Sequence, residues 1–212
     1  MSPFTATIDK RGFWVGEVGH HTDEGLKKSL CDFVKGQKTL VDFGCGDASY
    51  GKAISDKGLE VEAYDGNPVV VSQSDGFSSV LDLTKELNLN KKFDVVLSLE
   101  VGEHIPPKYE SIFIDNLVKH CKTYLILSWA LPGQGGTGHF NEKPNQYVIK
   151  KLNDKGFSYH PIYSQLLRNS VTTCPWFKKT ILVFYKRLTH QWTEEEWKED
   201  MKKHPHQDNH MD

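Results

Sequence analysis

Short apolar runs alternate with amphipathic segments along most of the chain. Between residues 23 and 35, apolar side chains recur at helical spacing behind Asp23, a residue type that caps helices. Further helices are predicted over residues 48–57, 107–120 and 145–155. The strand-like runs between and after them are TLVDFG, LEVEAYDG, SSVLDL, FDVVLSLEV, TYLILSWAL, FSYHPIY and FKKTILVFYKR.

This alternation predicts an α/β fold: a doubly wound sheet of seven strands, mostly parallel, with helices on both faces. The run FDVVLSLEV is almost continuously apolar, as expected for a strand that is covered on both sides. In such sheets ligands bind beyond the carboxyl ends of the strands, beside the first strand. Residues that follow each strand are therefore the candidates for a binding site.

Length, apolar runs and net charge limit the number of domains, the location and the partners that the chain can have. The 212 residues suit one domain: an aromatic-rich segment over residues 1–22, the α/β pattern over 23–187, and a polar, partly disordered tail over 188–212. No apolar run reaches the roughly 20 residues of a membrane helix, and no apolar signal segment is present, so we expect a cytoplasmic protein without a membrane partner. A net charge of -2 without a basic face argues against nucleic acid as the main partner but does not rule it out.

The turn after the first strand reads VDFGCGDAS and suits a ligand with a positive centre. A dinucleotide pyrophosphate needs free backbone amides at the start of a helix and no competing anion. Here Asp42 and Asp47 place two carboxylates around the turn instead. S-adenosylmethionine, with its sulfonium and ammonium groups, fits this charge better than NAD does. The alternative for this stretch taken alone is a tight turn capped by an aspartate.

Acidic residues also follow the next two strands. Asp65 ends LEVEAYD, where a carboxylate can accept hydrogen bonds from both ribose hydroxyls. Asp82 and Leu83 follow the third strand, and Asp82 is placed either to face an adenine amino group or to cap the next helix.

The motifs VDFGCGDAS, EAYDGN, VLDL and FDVVLSLEVGEHIP occur in the order and spacing of the class I S-adenosylmethionine-dependent methyltransferases, and residues 12–187 resemble this Rossmann-like family. The resemblance implies a small single-domain enzyme with an antiparallel last strand. Ala48 stands where the family often has a third glycine. The implied cofactor contacts are Asp42 at the ammonium, Asp65 at the ribose, Asp82 and Leu83 at the adenine, Gly44 and Gly46 in the first turn, and Glu100. The segment 1–22 is expected to cover the cofactor, with Phe13, Trp14, His20 and His21 lining the site and the last three on the substrate side.

The fourth strand runs into Glu100-Val-Gly-Glu103-His104, where the family places the transferable methyl group. If a helical turn begins at Glu100, the side chains of Glu100, Glu103 and His104 share one face. With His139 as a fourth ligand, they could hold a divalent cation that lowers the pKa of an attacked hydroxyl. Some methyltransferases that act on RNA ribose or catechol-type rings resemble this pattern. Two interpretations without metal stay open: His104 or His139 as a general base with Glu103 fixing its tautomer, and a purely structural role.

The stretch LSWALPGQGGTGHFNEKP contains four glycines, a density that indicates close approach of the backbone to another group. Because this stretch follows the fifth strand rather than the first, we predict a loop on the acceptor side rather than a phosphate cradle. Trp129, His139 and Glu142 are its candidate substrate contacts. A mobile surface loop with a solvated histidine is the alternative.

The sequence thus predicts an S-adenosylmethionine-dependent methyltransferase that acts on an oxygen or nitrogen of a small molecule. Its catalytic candidates are Glu103, His104 and His139, and a divalent metal ion is a second cofactor that the pattern allows. The alternatives are a metal-assisted ribose O-methyltransferase acting on an RNA end and a non-catalytic module that binds S-adenosylmethionine.

Overall fold

The computed structural model describes residues 6–187, so the predicted polar tail over 188–212 lies outside the described residues. A short antiparallel hairpin of β1 (Thr7–Ile8) and β2 (Trp14–Val15) comes first. The remaining strands are β3 (Thr39–Phe43), β4 (Glu60–Asp65), β5 (Ser79–Val80), β6 (Phe93–Ser98), β7 (Cys121–Leu127), β8 (Phe157–Tyr159) and β9 (Leu182–Lys186).

These seven strands form one sheet in the order β5-β4-β3-β6-β7-β9-β8. The last strand, β9, is antiparallel to both of its neighbours, and the pairs from β5 to β7 are all parallel. The chain order reverses direction across the sheet at β3, which pairs with β4 on one side and β6 on the other. The prediction of a doubly wound, mostly parallel sheet with an antiparallel last strand is confirmed.

Helices cover both faces of the sheet, as predicted. They are α1 (Glu24–Phe33), α2 (Ser49–Ser55), α3 (Val70–Gln73), α4 (Glu110–His120), α5 (Asn145–Asp154), α6 (Pro161–Asn169) and α7 (Phe177–Thr180). Alternate residues of β3 point to opposite faces: Leu40 packs in the core formed with α1, α2 and α6, and Val41 packs in the core formed with α4 and α5. Among the described helices, none combines the length and the apolar character needed to cross a membrane.

Two predicted strands are helical in part, which corrects the sequence reading. In FSYHPIY only β8 is extended, because Pro161 fixes the first position of α6 and the ring of His160 caps it by accepting from the amide of Tyr163. In FKKTILVFYKR the first four residues form α7 before β9 begins. The fifth strand is also shorter than predicted, since β7 ends at Leu127. Trp129 and the glycines after it therefore lie beyond the sheet edge.

Candidate active site

A cavity of about 700 Å³ lies beyond the carboxyl ends of β3, β4, β6 and β7. It sits beside the strand at which the sheet order reverses, the position expected for a ligand site in this architecture. The volume lies in the range of small-molecule and cofactor sites. The predicted site residues among its lining are Phe13, Trp14, His20, His21, Asp42, Gly44, Gly46, Asp65, Leu83, Glu100, His104 and His139.

The turn between β3 and α2 brings the backbone close to other groups, as its two glycines predicted. Gly44 has φ +80°, and a β-carbon there would overlap the side chain of Val101. Ala48 has φ +60°, so it adopts the left-handed conformation although it is not glycine. The carboxylate of Asp47 accepts from the amide and hydroxyl of Ser49 at 3.0 and 2.6 Å, which holds the turn before α2.

Two carboxyl groups face the cavity from β3 and β4. Asp42 is buried, and this burial, with the carboxylates of Asp65 and Asp47 nearby, raises the pKa of Asp42 to about 8. Asp65 accepts from the amide of Gly46 at 3.0 Å and from the amide of Asn67 at 2.8 Å. Each of its oxygens keeps a lone pair available for a ligand hydroxyl.

Asp82 lies behind the cavity rather than in its wall. Its Oδ1 accepts from the amide and hydroxyl of Thr84, and its Oδ2 forms a 2.7 Å ion pair with Arg11. Leu83 and Thr84 line the cavity in its place. Leu83 therefore lies where the sequence predicted an adenine contact. The carboxylate of Asp82 instead holds Thr84 in the wall and Arg11 of the N-terminal segment.

The N-terminal segment lies across the cavity. Asn67 holds it by donating from Nδ2 to the carbonyl of Gly16 at 2.8 Å and by accepting from the Gly16 amide at 3.3 Å. The ring of His20 packs on the first turn, because a β-carbon at Gly46 would lie 2.6 Å from its Nδ1. His21 contacts the ring of Trp176 edge-on, with centroids 6.1 Å apart. These contacts bring Phe13, Trp14, His20 and His21 into the cavity wall.

The segment after β6 does not form the predicted helical turn at Glu100. Glu100 has φ +52°, which ends the extended chain sharply. Its carboxylate accepts from Gln134 Nε2 at 2.8 Å and from Thr180 Oγ1 at 3.2 Å. These two hydrogen bonds occupy the carboxylate of Glu100 and tie the segment after β6 to the glycine loop and α7.

Glu103 is buried and His104 is half-buried, and both carry buried hydrogen-bonding atoms that are unused. Within residues 6–187, neither carboxyl oxygen of Glu103 nor Nδ1 of His104 has a partner of normal hydrogen-bond geometry. Burial, and then the nearby carboxylate of Glu100, raises the pKa of Glu103 well above its ordinary value. Burial, with the ring of His139 at a centroid distance of 4.9 Å, lowers the pKa of His104 to about 4. At neutral pH His104 is therefore an uncharged imidazole.

Glu103, His104 and His139 form a group that could hold a cation. Each offers one ligand atom, and these atoms lie within 4.8 Å of one another. Carboxylate and imidazole are common ligands of divalent transition metals, and the unpartnered buried atoms of Glu103 and His104 are free to accept such a bond. Glu100, which the sequence had placed in the same ligand set, is not part of this group, and its carboxylate bonds to Gln134 and Thr180 instead.

The loop between β7 and α5 is ordered by Glu142. The carboxylate of Glu142 accepts from the amides of Gly133 and Gly135, both at 2.7 Å. Burial alone would raise the pKa of Glu142, but these hydrogen bonds and the one from His139 outweigh it and lower that pKa below the ordinary value. Glu142 does not line the cavity, so the predicted substrate contact is instead a support of the loop. The alternative of a solvated histidine is wrong, since the side chain of His139 is only 12% exposed.

Trp129 belongs to the core and not to the acceptor side. It is 1% exposed, its indole donates to the carbonyl of Asn141 at 2.6 Å, and its ring meets Phe113 edge-on. A β-carbon at Gly102 would lie 2.5 Å from the ring atom Cε2 of Trp129, so this glycine is required for the packing. The substrate-side prediction for Trp129 is therefore corrected.

Several cavity residues were missed by sequence reasoning. Gln134 and Thr137 lie in the glycine loop that the sequence had identified, and only the fold decides which loop side chains turn inward. Tyr50, Trp176 and Phe177 come from helical segments that lack a local signal of binding. Arg11 lies just before the aromatic residues that had been assigned to the site.

Comparisons with known proteins agree with this geometry. Residues 19–177 match a family model described as a methyltransferase domain. No curated protein matches the sequence at significant similarity.

Similar solved structures include the magnesium protoporphyrin IX methyltransferase from Synechocystis PCC 6803 with bound S-adenosylhomocysteine, which is 20% identical with a TM-score of 0.58 over 80% of this chain and 90% of that chain. The sugar N-methyltransferase from Streptoalloteichus sp. is 12% identical with a TM-score of 0.61, covering 82% of this chain and 97% of that one. A TehB-like SAM-dependent methyltransferase from Corynebacterium glutamicum is 13% identical with a TM-score of 0.60, covering 77% and 88%. These likenesses show the fold. The family model spans most of the described residues, and the chain therefore belongs to the methyltransferase domain family that its sequence motifs predicted.

Proposed function

We propose that the chain transfers a methyl group from S-adenosylmethionine to an oxygen or nitrogen of a small-molecule acceptor. The observation that carries this proposal is one continuous cavity with two chemically different ends. Asp42, Asp65 and the glycine turn line one end, and His104 and His139 line the other. A cofactor bound at the first end would present its methyl group toward the second.

The cofactor end is suited to a cationic ligand. Asp42 and Asp65 place two carboxyl groups in the wall, and an ammonium or sulfonium group nearby would favour the ionised form of Asp42. Gly44 and Gly46 leave the backbone of the first turn bare, so that the side chains of Val101 and His20 pack directly against it. Residues 6–22 cover the cavity, which supports the proposal that the N-terminal segment closes over the cofactor.

The acceptor end supports an acceptor that is uncharged or cationic at its reacting group. Among the described cavity residues the only Lys or Arg side chain is Arg11, and it is already paired with Asp9 and Asp82. A phosphate or carboxylate beside the methyl group would therefore lack a counter-charge. Methyl transfer from a sulfonium depends mainly on alignment. The rings of His104 and His139 line the end of the cavity where an acceptor would lose its proton.

Glu103, His104 and His139 would hold a divalent metal ion at this end. When bound, such an ion lowers the pKa of a hydroxyl that it contacts. The residues themselves supply the ligand set: Glu103 is fully buried, which keeps water from its carboxyl group, and the half-buried His104 lines the cavity. The same set favours ribose O-methylation at an RNA end as a second candidate function, although the lack of free cationic residues in the cavity argues for a small acceptor.

Calorimetry with S-adenosylhomocysteine and with NADH tests the cofactor assignment. We expect micromolar binding of S-adenosylhomocysteine and no binding of NADH. Tight binding of NADH alone would overturn the proposal and restore the dinucleotide interpretation of the first turn.

Methyl transfer is tested with methyl-labelled S-adenosylmethionine and a panel of small alcohols, phenols and amines, with short RNA oligonucleotides as a second panel. We expect label in a small-molecule product and a loss of transfer in His139→Ala with nearly unchanged affinity for S-adenosylhomocysteine. Label found only in RNA, with binding that weakens steeply with salt, would support the second candidate. Cofactor binding without any product would support a non-catalytic module.

A further inference from the structure

Glu142 makes three hydrogen bonds that all serve the same loop. Two of them come from the backbone amides of Gly133 and Gly135, one to each carboxylate oxygen. The third joins its Oε1 to Nδ1 of His139 at 3.1 Å. Its side chain is 18% exposed and lies outside the cavity wall, so its contacts are with the loop and not with a substrate.

These contacts determine which nitrogen of His139 carries the proton. Both oxygens of Glu142 already accept from N–H groups, so the carboxylate is an acceptor and the hydrogen bond at Nδ1 requires Nδ1–H. In the neutral ring, Nε2 then holds the free lone pair. His139 belongs to the ligand group with Glu103 and His104, and Nε2 is its nitrogen that Glu142 does not occupy.

Gly136 fixes the ring from the other side. It has φ +150°, and a β-carbon there would lie 2.6 Å from Cε1 of His139 and closer still to Nε2. The ring therefore fits between a carboxylate at Nδ1 and a bare backbone at its opposite edge. Gln134 ties the same loop to Glu100, which keeps the loop seated on the segment after β6.

We propose that Glu142 is a positioning residue that sets the tautomer and orientation of His139, so that Nε2 faces Glu103 and His104 with its lone pair free. A carboxylate that accepts from the outer nitrogen of a ligand histidine is the usual support of such a ligand, and its loss typically costs about 10- to 100-fold in metal affinity. Only the expected effect on metal affinity rests on the proposed function. The tautomer of His139 can be measured with or without an ion.

The test is nitrogen NMR of the histidine rings in the full-length protein labelled with ¹⁵N-histidine. His139→Gln assigns the His139 signals. We expect the Nδ1–H form in the wild type and a mixed or reversed tautomer in Glu142→Gln, in which one carboxylate oxygen becomes an NH₂ group. Glu60→Gln is the matched control, because Glu60 is 65% exposed and lies at the amino-terminal end of β4, where it pairs with Lys91.

An Nε2–H tautomer in the wild type, or an unchanged tautomer in Glu142→Gln, overturns the proposal. If Glu142→Gln does not fold, the wild-type tautomer still decides the question. A Mn²⁺ titration followed by electron paramagnetic resonance adds the second readout, with an expected 10- to 100-fold weaker affinity in Glu142→Gln. If the wild type binds no Mn²⁺ but shows the Nδ1–H form that Glu142→Gln loses, the metal assignment fails and the positioning role stands.

Discussion

Arg11 and Asp82 join the N-terminal hairpin to the wall of the cavity through an ion pair of 2.7 Å. The guanidinium also lies 4.7 Å from the ring centroid of Phe13, a cavity residue of the same segment. The covering segment is therefore attached at the end of the cavity where an adenine is expected, as well as at Gly16 through Asn67.

Replacing Arg11 should loosen this attachment without unfolding the protein. A partly exposed ion pair contributes about 0.2–1 kcal/mol, so we expect Arg11→Met to weaken binding of S-adenosylhomocysteine by up to about fivefold. Lys85→Met is the control, because Lys85 lies 3.8 Å from the same carboxylate and is 69% exposed. Calorimetry on both variants checks this, and equal effects would show that the hairpin takes no part in binding.

Asp65 should contribute more to binding than Arg11. Its carboxylate orders the first turn through Gly46 and stands where ribose hydroxyls would donate. Hydrogen bonds to a charged group contribute about 1.5–3 kcal/mol, so Asp65→Asn should weaken binding of S-adenosylhomocysteine about 10- to 100-fold. Asp75→Asn, at a side chain 90% exposed, should leave the affinity unchanged. Unchanged affinity in Asp65→Asn would remove Asp65 from the cofactor site.

Asp42 should make stability fall as the pH rises. The pKa of Asp42 is about 8 in the folded protein against an ordinary value of 3.8, because the carboxyl group is buried near Asp65 and Asp47. Between these two values the folded state binds a proton that the unfolded state has lost, so the free energy of unfolding decreases with pH in that interval. Urea unfolding from pH 5 to pH 8 should show a decline that Asp42→Asn reduces. Parallel profiles for the two proteins would contradict the assignment.

The same carboxyl group should release a proton when the cofactor binds. Below about pH 8 Asp42 is protonated in the free protein, and a cationic ligand beside it favours ionisation. Titration of S-adenosylhomocysteine at pH 7 in buffers of different ionisation enthalpy should show release of up to about one proton per site. Asp42→Asn should abolish the release. A buffer-independent enthalpy in the wild type would mean that the ligand does not approach Asp42.

Two glycines of the loop after β7 allow a matched comparison. Gly133 and Gly136 both have positive φ, of +84° and +150°, but a β-carbon meets His139 only at Gly136. We expect Gly133→Ala and Gly136→Ala each to lose roughly 1 kcal/mol of stability from backbone strain. Only Gly136→Ala should also change the His139 ring signals in the NMR spectrum. Identical spectra for the two variants would remove the proposed contact.

Much of the fold could be predicted from the sequence, because the strands of the sheet interior have a strong and continuous apolar pattern. The first six residues of FDVVLSLEV form β6, which is buried throughout, and Asp23 caps α1 by accepting from the amide of Leu26. The errors occurred where the pattern is short or mixed. FSYHPIY and FKKTILVFYKR contain both a strand and a helical turn within one apolar run, and periodicity alone does not separate them.

The candidate site, like the fold, could be predicted only in part from the sequence. The sequence by itself determined the ordered motifs, the two glycines of the first turn, and the acidic residues at the strand ends. Tertiary structure decided which polar side chains meet. Glu100 adopts a left-handed backbone and bonds to Gln134 and Thr180, whereas Glu103, His104 and His139 converge from two segments 35 residues apart in the chain (His104 to His139). Tertiary structure also directs Glu142 to the loop amides and Trp129 into the core. Burial and hydrogen bonds between distant segments fix these side chains, and no local sequence pattern encodes such contacts.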